Sequence, residues 1–242
     1  MTTVLLVRHG RSTANTSGIL AGRTPGVELD EVGLKQATEA GERIAPLRLR
    51  ALVSSPLERC QQTAQALLAP RTDGLEISTE EGLVECGYGD WTGKPLKELS
   101  KDKLWKQVQQ QPSSVRFPNG ESMTEMSARA IGSIRDWDDR LTREYGDDAV
   151  WAAVSHADVI KAIMADALGM HLDSFQRILI DPASVSIVRY TSTRPYVIKV
   201  NSTSADLAAL FPPAAKKTRS RRAKAPVDAP VGGGLGAADA VD

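Results

Sequence analysis

The chain has few cysteines, only Cys60 and Cys86 in 242 residues. Two thiols do not make a disulfide scaffold or a zinc-finger framework. It has no uncharged apolar run approaching the roughly 18 residues of a membrane-spanning helix. Before Arg8 it offers only Val4-Leu5-Leu6-Val7, too short for the apolar core of a secretory signal. No charge is in excess: thirty basic residues face thirty acidic ones. That balance argues against a wholly basic nucleic-acid binder and against an acidic disordered chain. There is no internal repeat. What these absences leave is a cytoplasmic, enzyme-sized protein of one or two domains.

The neutral balance averages two unlike parts. From Ala215 onward six Lys/Arg and three Asp give a net +3, and the residues before them carry −3. Pro212-Pro213-Ala214-Ala215 leads into Lys216, Lys217, Arg219, Arg221, Arg222 and Lys224, then into a Pro/Gly/Ala/Asp stretch. Such composition cannot offset chain entropy of about 1–2 kcal/mol per residue, so 206–242 is expected to be a disordered tail. Residues 1–205 suit one α/β domain.

Within 1–205 short apolar runs alternate with helical patterns. Val4–Val7, Ala51–Val53 and Ala149–Val154 read as buried strands. Val185–Tyr190 and Tyr196–Val200 read as a hairpin at a sheet edge. Asp30 caps a helix to about Ala45, and a helix is expected near Val159–Leu168. Ser55-Pro56-Leu57-Glu58 combines a capping box with proline at the first helical position, opening a helix from Pro56 to about Leu68. The stretch 92–147 has no convincing strand. In it Met123, Met126, Ala130, Ile134, Trp137 and Leu141 step by three or four behind a Ser122/Glu125 capping box, as in one long amphipathic helix. The expected fold is a three-layer α/β/α domain with a mostly parallel sheet and a helical insertion at 92–147.

Parallel α/β sheets bind ligands beyond the carboxyl ends of their strands. Arg8-His9-Gly10 follows the first strand. Ser54-Ser55 and the helix start carrying Arg59 follow the second. Ser155-His156-Ala157 follows the strand ending at Val154. Two arginines and two of the three histidines are thus addressed to one crevice; His171 follows a helix and has no such address. Taken singly, an arginine is better read as a surface ion pair and a histidine as a satisfied core or capping residue. Their coincidence at three strand ends favours a site. Two guanidiniums beside a helix N-terminus suit the oxygens of a phosphoryl group without metal. A unit-charge pair at about 4 Å is worth about 4 kcal/mol at an effective dielectric near 20. A neutral imidazole can attack phosphorus in line, and the second histidine can donate to the equatorial oxygens. Gly10 lets backbone come close beside His9.

Leu6-Val7-Arg8-His9-Gly10, with Asn15 six residues after the histidine, resembles the signature of the histidine phosphatase superfamily, branch 1, the phosphoglycerate-mutase-like group. Leu20–Thr24, Leu29–Ala37, Ser54–Arg59 with Thr63-Ala64, Leu83–Gly93, Asn119–Ser122 and Val154–His156 resemble its further segments, in order, over about residues 1–200. The resemblance implies that His9 is the nucleophile and that Arg8, Arg59 and His156 complete the phosphate pocket. It implies that Asn15 and the backbone N–H of Ala157 add contacts. Glu85 maps to the acid that protonates the leaving oxygen and then activates water. That acid must begin protonated: neighbouring arginines oppose this, while burial and a bound dianion favour it.

Two residues depart from the family pattern. Arg11 stands where Glu or Gln is usual, and either widens the substrate-binding cation set or pairs with an acidic neighbour. Asp158 follows Ala157 in place of a glycine-rich pair and brings a carboxylate near the pocket. Cys60 and Cys86 adjoin Arg59 and Glu85, and are read as small buried apolar residues ahead of a redox role. The expected activity is hydrolysis of a small phosphorylated metabolite with no cofactor. The alternatives are a phosphoglycerate-mutase-like phosphomutase and a non-catalytic phospholigand binder. The basic run is read first as a solvated tail, against contact with nucleic acid, an anionic membrane surface or an acidic partner. A homo-oligomer stays open.

Overall fold

The computed structural model describes residues 1–203 and 231–233. Six strands form one mixed sheet: β1 (Thr3–Arg8), β2 (Leu49–Ser54), β3 (Ile77–Thr79), β4 (Val150–Ser155), β5 (Val185–Arg189) and β6 (Tyr196–Ser202). Their spatial order is β3-β2-β4-β1-β5-β6. The first four in that order are parallel, and the β5–β6 hairpin pairs antiparallel on the β1 side. Strand β3 has no counterpart in the sequence reading. It is three residues long and only half-buried, so it leaves no apolar pattern.

The described residues form seven α-helices: α1 (Thr13–Thr16), α2 (Glu31–Ile44), α3 (Glu58–Leu68), α4 (Leu96–Leu99), α5 (Lys103–Gln110), α6 (Met123–Tyr145) and α7 (Ala157–Ala167). Alternation along the strands sends side chains to opposite faces. Leu5, Val7, Leu52, Ala152 and Val154 meet Ala40, Ile44, Cys60, Ala64 and Leu67 of α2 and α3. Val4, Leu6, Val53, Trp151 and Ala153 meet α6 and α7 on the other face. The result is a three-layer α/β/α domain, with the 92–147 stretch helical as its pattern implied. Asp30 caps α2 through Gly33, and Ser122 with Glu125 forms the capping box of α6.

One cap differs from expectation. Helix α3 begins at Glu58 with Leu57 as its cap residue, and no side chain caps it. Ser55 turns instead into the crevice above the sheet. The tail expected over 206–242 lies outside the described residues, apart from Val231–Gly233. Among the described residues no helix is long and apolar enough to cross a membrane.

Candidate active site

Strands β2, β4 and β1 are neighbours, so their carboxyl ends open into one crevice. The register pairs Arg8 with Ser155 and Ser54 with Val154. His9 continues β1, its N–H donating to Ser155 O at 3.0 Å, and Ser55 N–H donates to Val154 O at 2.9 Å. The chain turns after His9 because two glycines meet there. A Cβ on Gly10 would stand 2.4 Å from the carbonyl oxygen of Gly33, and one on Gly33 would stand 1.9 Å from that of Arg11. Gly10 thus lets backbone come close beside His9, as the sequence suggested, and the backbone that approaches is the N-terminus of α2.

Arg8, His9, Arg59, Glu85 and His156 are all buried, none more than 3% exposed. The two histidine rings lie edge to face with centroids 5.3 Å apart. His9 Nδ1 is 2.7 Å from the carbonyl oxygen of its neighbour Gly10. A carbonyl only accepts, so Nδ1 carries the proton and Nε2 keeps the lone pair. Burial first, then the charges of Arg59 and Arg8, hold the His9 pKa well below its usual value. The imidazole is therefore neutral near pH 7.

His156 is also held neutral, by burial and then by Arg59. Its Nδ1 lies 3.2 Å from Arg59 Nη2, a donor, so Nε2 bears the proton and donates to Ser55 Oγ at 2.8 Å. Arg59 Nη2 also donates to Gly22 O at 2.8 Å, whereas Nη1 is buried with no hydrogen-bond partner among the described residues. Arg8 Nη1 donates to Ile180 O at 2.8 Å. Burial lowers its pKa to about 10, leaving it cationic at neutral pH.

Glu85 is gripped from behind. Its carbonyl oxygen accepts from Arg23 Nε at 2.8 Å and Arg129 Nη2 at 3.1 Å. Its Oε1 accepts from the Cys86 N–H at 2.9 Å, and its Oε2 lies 3.9 Å from His156 Nδ1. Burial above all, then the charge of Asp158, raises its pKa to about 7 against the opposing pull of Arg59. In the competition left open in the sequence, burial outweighs the arginines and moves the pKa upward.

Other expected residues have different places. Asn15 lines the pocket, its Oδ1 accepting from the N–H and hydroxyl of Ser12 at 3.0 and 2.9 Å. Ala157 is the first residue of α7, directly after His156. Arg11 turns to Asp30, with Nε 2.7 Å from Oδ2, and is not among the described residues lining the pocket. Of the 92–147 stretch only Leu96 lines it. Glu121 of the Asn119–Ser122 loop instead pairs with Arg23 and Arg129, the two arginines bracing Glu85. Cys60 and Cys86 are fully buried, and burial pushes the Cys60 thiol up to about 12. His171 pairs with Asp173 away from the crevice.

The sequence reading missed three features. Ser55 holds His156, a role hidden by its resemblance to a helix cap. Arg129 ties the Glu85 loop to α6, and no local pattern announces a partner 44 residues away. The third is a buried cluster in which Asp158 accepts from the Tyr88 hydroxyl at 2.9 Å and pairs with Lys161 at 3.2 Å.

Residues 4–203 match the family model of the histidine phosphatase superfamily (branch 1). Phosphoserine phosphatase 1 of Hydrogenobacter thermophilus is 27% identical over 84% of this chain and 93% of its own length. A protein of Yersinia pestis named probable phosphoglycerate mutase GpmB is 29% identical over 78% of this chain and 86% of its own. Among solved structures, phosphoserine phosphatase of Entamoeba histolytica in complex with 3-phosphoglyceric acid superposes with a TM-score of 0.73. It is 25% identical and covers 84% of this chain and 98% of its own.

Proposed function

Because the chain belongs to the histidine phosphatase superfamily, branch 1, we propose that it hydrolyses small phosphomonoesters through a phosphohistidine formed at His9. The observation that carries this reading is the state of three buried groups at one spot. A neutral imidazole with its lone pair on Nε2 stands with an arginine whose Nη1 has no hydrogen-bond partner among the described residues and a carboxyl group whose pKa is raised to about 7.

The reaction follows from those states. Arg8 and Arg59 hold the phosphoryl oxygens, with the first-turn N–H of Ala157 adding partial positive charge. His9 Nε2 attacks phosphorus as the bond to the ester oxygen breaks. Glu85 gives its proton to the departing oxygen and becomes a carboxylate. Water then enters. Glu85 takes one of its protons as the water oxygen bonds to phosphorus, the P–N bond breaks, and inorganic phosphate leaves with His9 neutral again. The His9 Nδ1–H bond to Gly10 O keeps the reactive nitrogen aimed and stabilises the positive charge the ring gains. His156, fixed by Ser55, accepts from Arg59 Nη2 and so orients that guanidinium; its own ring N–H is spent on Ser55, so the donation to phosphoryl oxygens expected from the sequence is not its part here.

Phosphoserine and 3-phosphoglycerate head the substrate panel, from the names of the similar proteins. Inorganic phosphate release from this panel, with acid-labile phosphate trapped on His9 by rapid quench, tests the proposal. No release and no labelled His9 from any member would overturn it in favour of a binding protein. The similarity to the Yersinia protein supports a second reading, a phosphomutase. Isomer formation stimulated by bisphosphoglycerate, without free phosphate, would select it. A cytoplasmic location belongs to the same proposal, supported by two free, buried thiols.

A further inference from the structure

Residues 231–233 are separated by 27 residues from Thr203, the last described residue after β6, yet they form part of the pocket wall. Val231 is 1% exposed and joins the core cluster containing Leu20 and Tyr88. The Gly232 N–H donates to Asp158 Oδ2 at 2.9 Å, the oxygen that also accepts from Tyr88. Gly233 lies over the cup: a Cβ there would stand 2.4 Å from Ala157 Cβ and 2.9 Å from Arg8 Nη1.

This seat depends on particular residues at both ends. Gly232 and Gly233 have φ of 77° and 80°, a region open to glycine and closed to most side chains. Their anchor, Asp158, is the residue that departs from the family pattern. Its carboxylate is kept in place by Tyr88 and Lys161. The remaining cavity is about 20 Å³. That is space for about one water molecule. Its polar lining includes His9, Arg59 and Glu85; Ile19, Leu20 and Leu96 are apolar lining, and Val231 lies on that apolar side. A phosphoryl group with an alcohol attached needs more room than this.

We propose that Val231-Gly232-Gly233 is a specificity-determining wall of the substrate pocket, a built-in occupant that the leaving group of a substrate must displace. The inference rests on the phosphoryl pocket proposed above and says which esters it admits. Small leaving groups displace the wall partly; bulky ones must expel Val231 from its apolar seat.

The test uses the full chain and two non-hydrolysable ligands, methylphosphonate and 1-naphthylphosphonate, with affinities measured by calorimetry. Gly232→Pro removes the donor to Asp158 and forbids the positive φ. Val231→Asp places a charge in the apolar seat. In both variants 1-naphthylphosphonate is expected to bind about tenfold tighter or more, with methylphosphonate changed less than about threefold. An unchanged ratio of the two affinities, or loss of binding for both ligands in the variants, overturns the inference. The readout is independent of turnover. A wall that moves the ratio in a chain that releases no phosphate would leave the inference standing and the hydrolase reading refuted.

Discussion

The carboxyl ends of β1, β2 and β4 and the outer edge at β6 reverse the usual distribution of residues in opposite ways. At the first, Arg8, Arg59, Glu85 and both histidines are buried. At the second, Tyr196, Ile198 and Val200, on one face of the edge strand, are each more than 40% exposed. Burying ionisable groups is costly unless partners are supplied. The supply at the strand ends is one-sided. Arg59 is tethered to Gly22 O through Nη2 while Nη1 has no hydrogen-bond partner among the described residues. Such an arrangement suits an incoming anion. Exposed apolar side chains carry much less information, because most of any protein surface is apolar. The comparison teaches that function here is marked by what was buried at a penalty, not by what was left outside.

The sharpest way to test the contrast is to remove the nucleophile. His9→Ala is expected to lower phosphate release by roughly 10⁴-fold or more, with no acid-labile phosphate on the protein. Circular dichroism at the wild-type melting range would show that the fold survived. Next, Glu85→Gln is expected to slow esters with poor leaving groups by about 10²–10⁴-fold, and p-nitrophenyl phosphate much less. Full turnover of a poor-leaving-group ester would remove Glu85 as the acid. The same group sets a pH limb. Its pKa is raised to about 7, so the protonated acid is lost as pH rises through that value. His9 is held well below its usual pKa, so protonation of the nucleophile sets in only well under pH 6.5. Activity is expected to be bell-shaped, with the basic limb near 7 in wild type and absent in Glu85→Gln.

Arg59→Lys comes third. Lysine keeps a charge but loses the fork, so kcat/KM is expected to fall about 10²-fold, checked with phosphate competition. At the far edge Ile198→Thr is expected to change stability by less than about 0.5 kcal/mol and turnover not at all. A large loss of activity from that edge would break the comparison.

Much of this arrangement was legible in the chain. Residues Val4–Val7 and Ala149–Val154 had to be buried strands because each is a short apolar run between polar punctuation. His9, Arg59 and His156 follow strands, which alone sends them to one end of a parallel sheet. Other features were not legible because the partner is remote in sequence. Ser55 reads as a cap until His156, 101 positions later, takes its hydroxyl. Arg11 reads equally as a substrate contact or an ion pair until Asp30 is found at 2.7 Å. Glu85 reads as a glutamate of unknown charge until its enclosure is known.

The order and identity of the residues determined every strand but β3, the four longest helices and which side chains stand at strand ends, since these follow from local periodicity and from the geometry of parallel crossovers. Only the tertiary packing decided protonation and access. Desolvation depends on every atom around a group, so the neutral His9, the raised pKa of Glu85 and the seating of Val231 over the pocket emerge only when distant segments close around them.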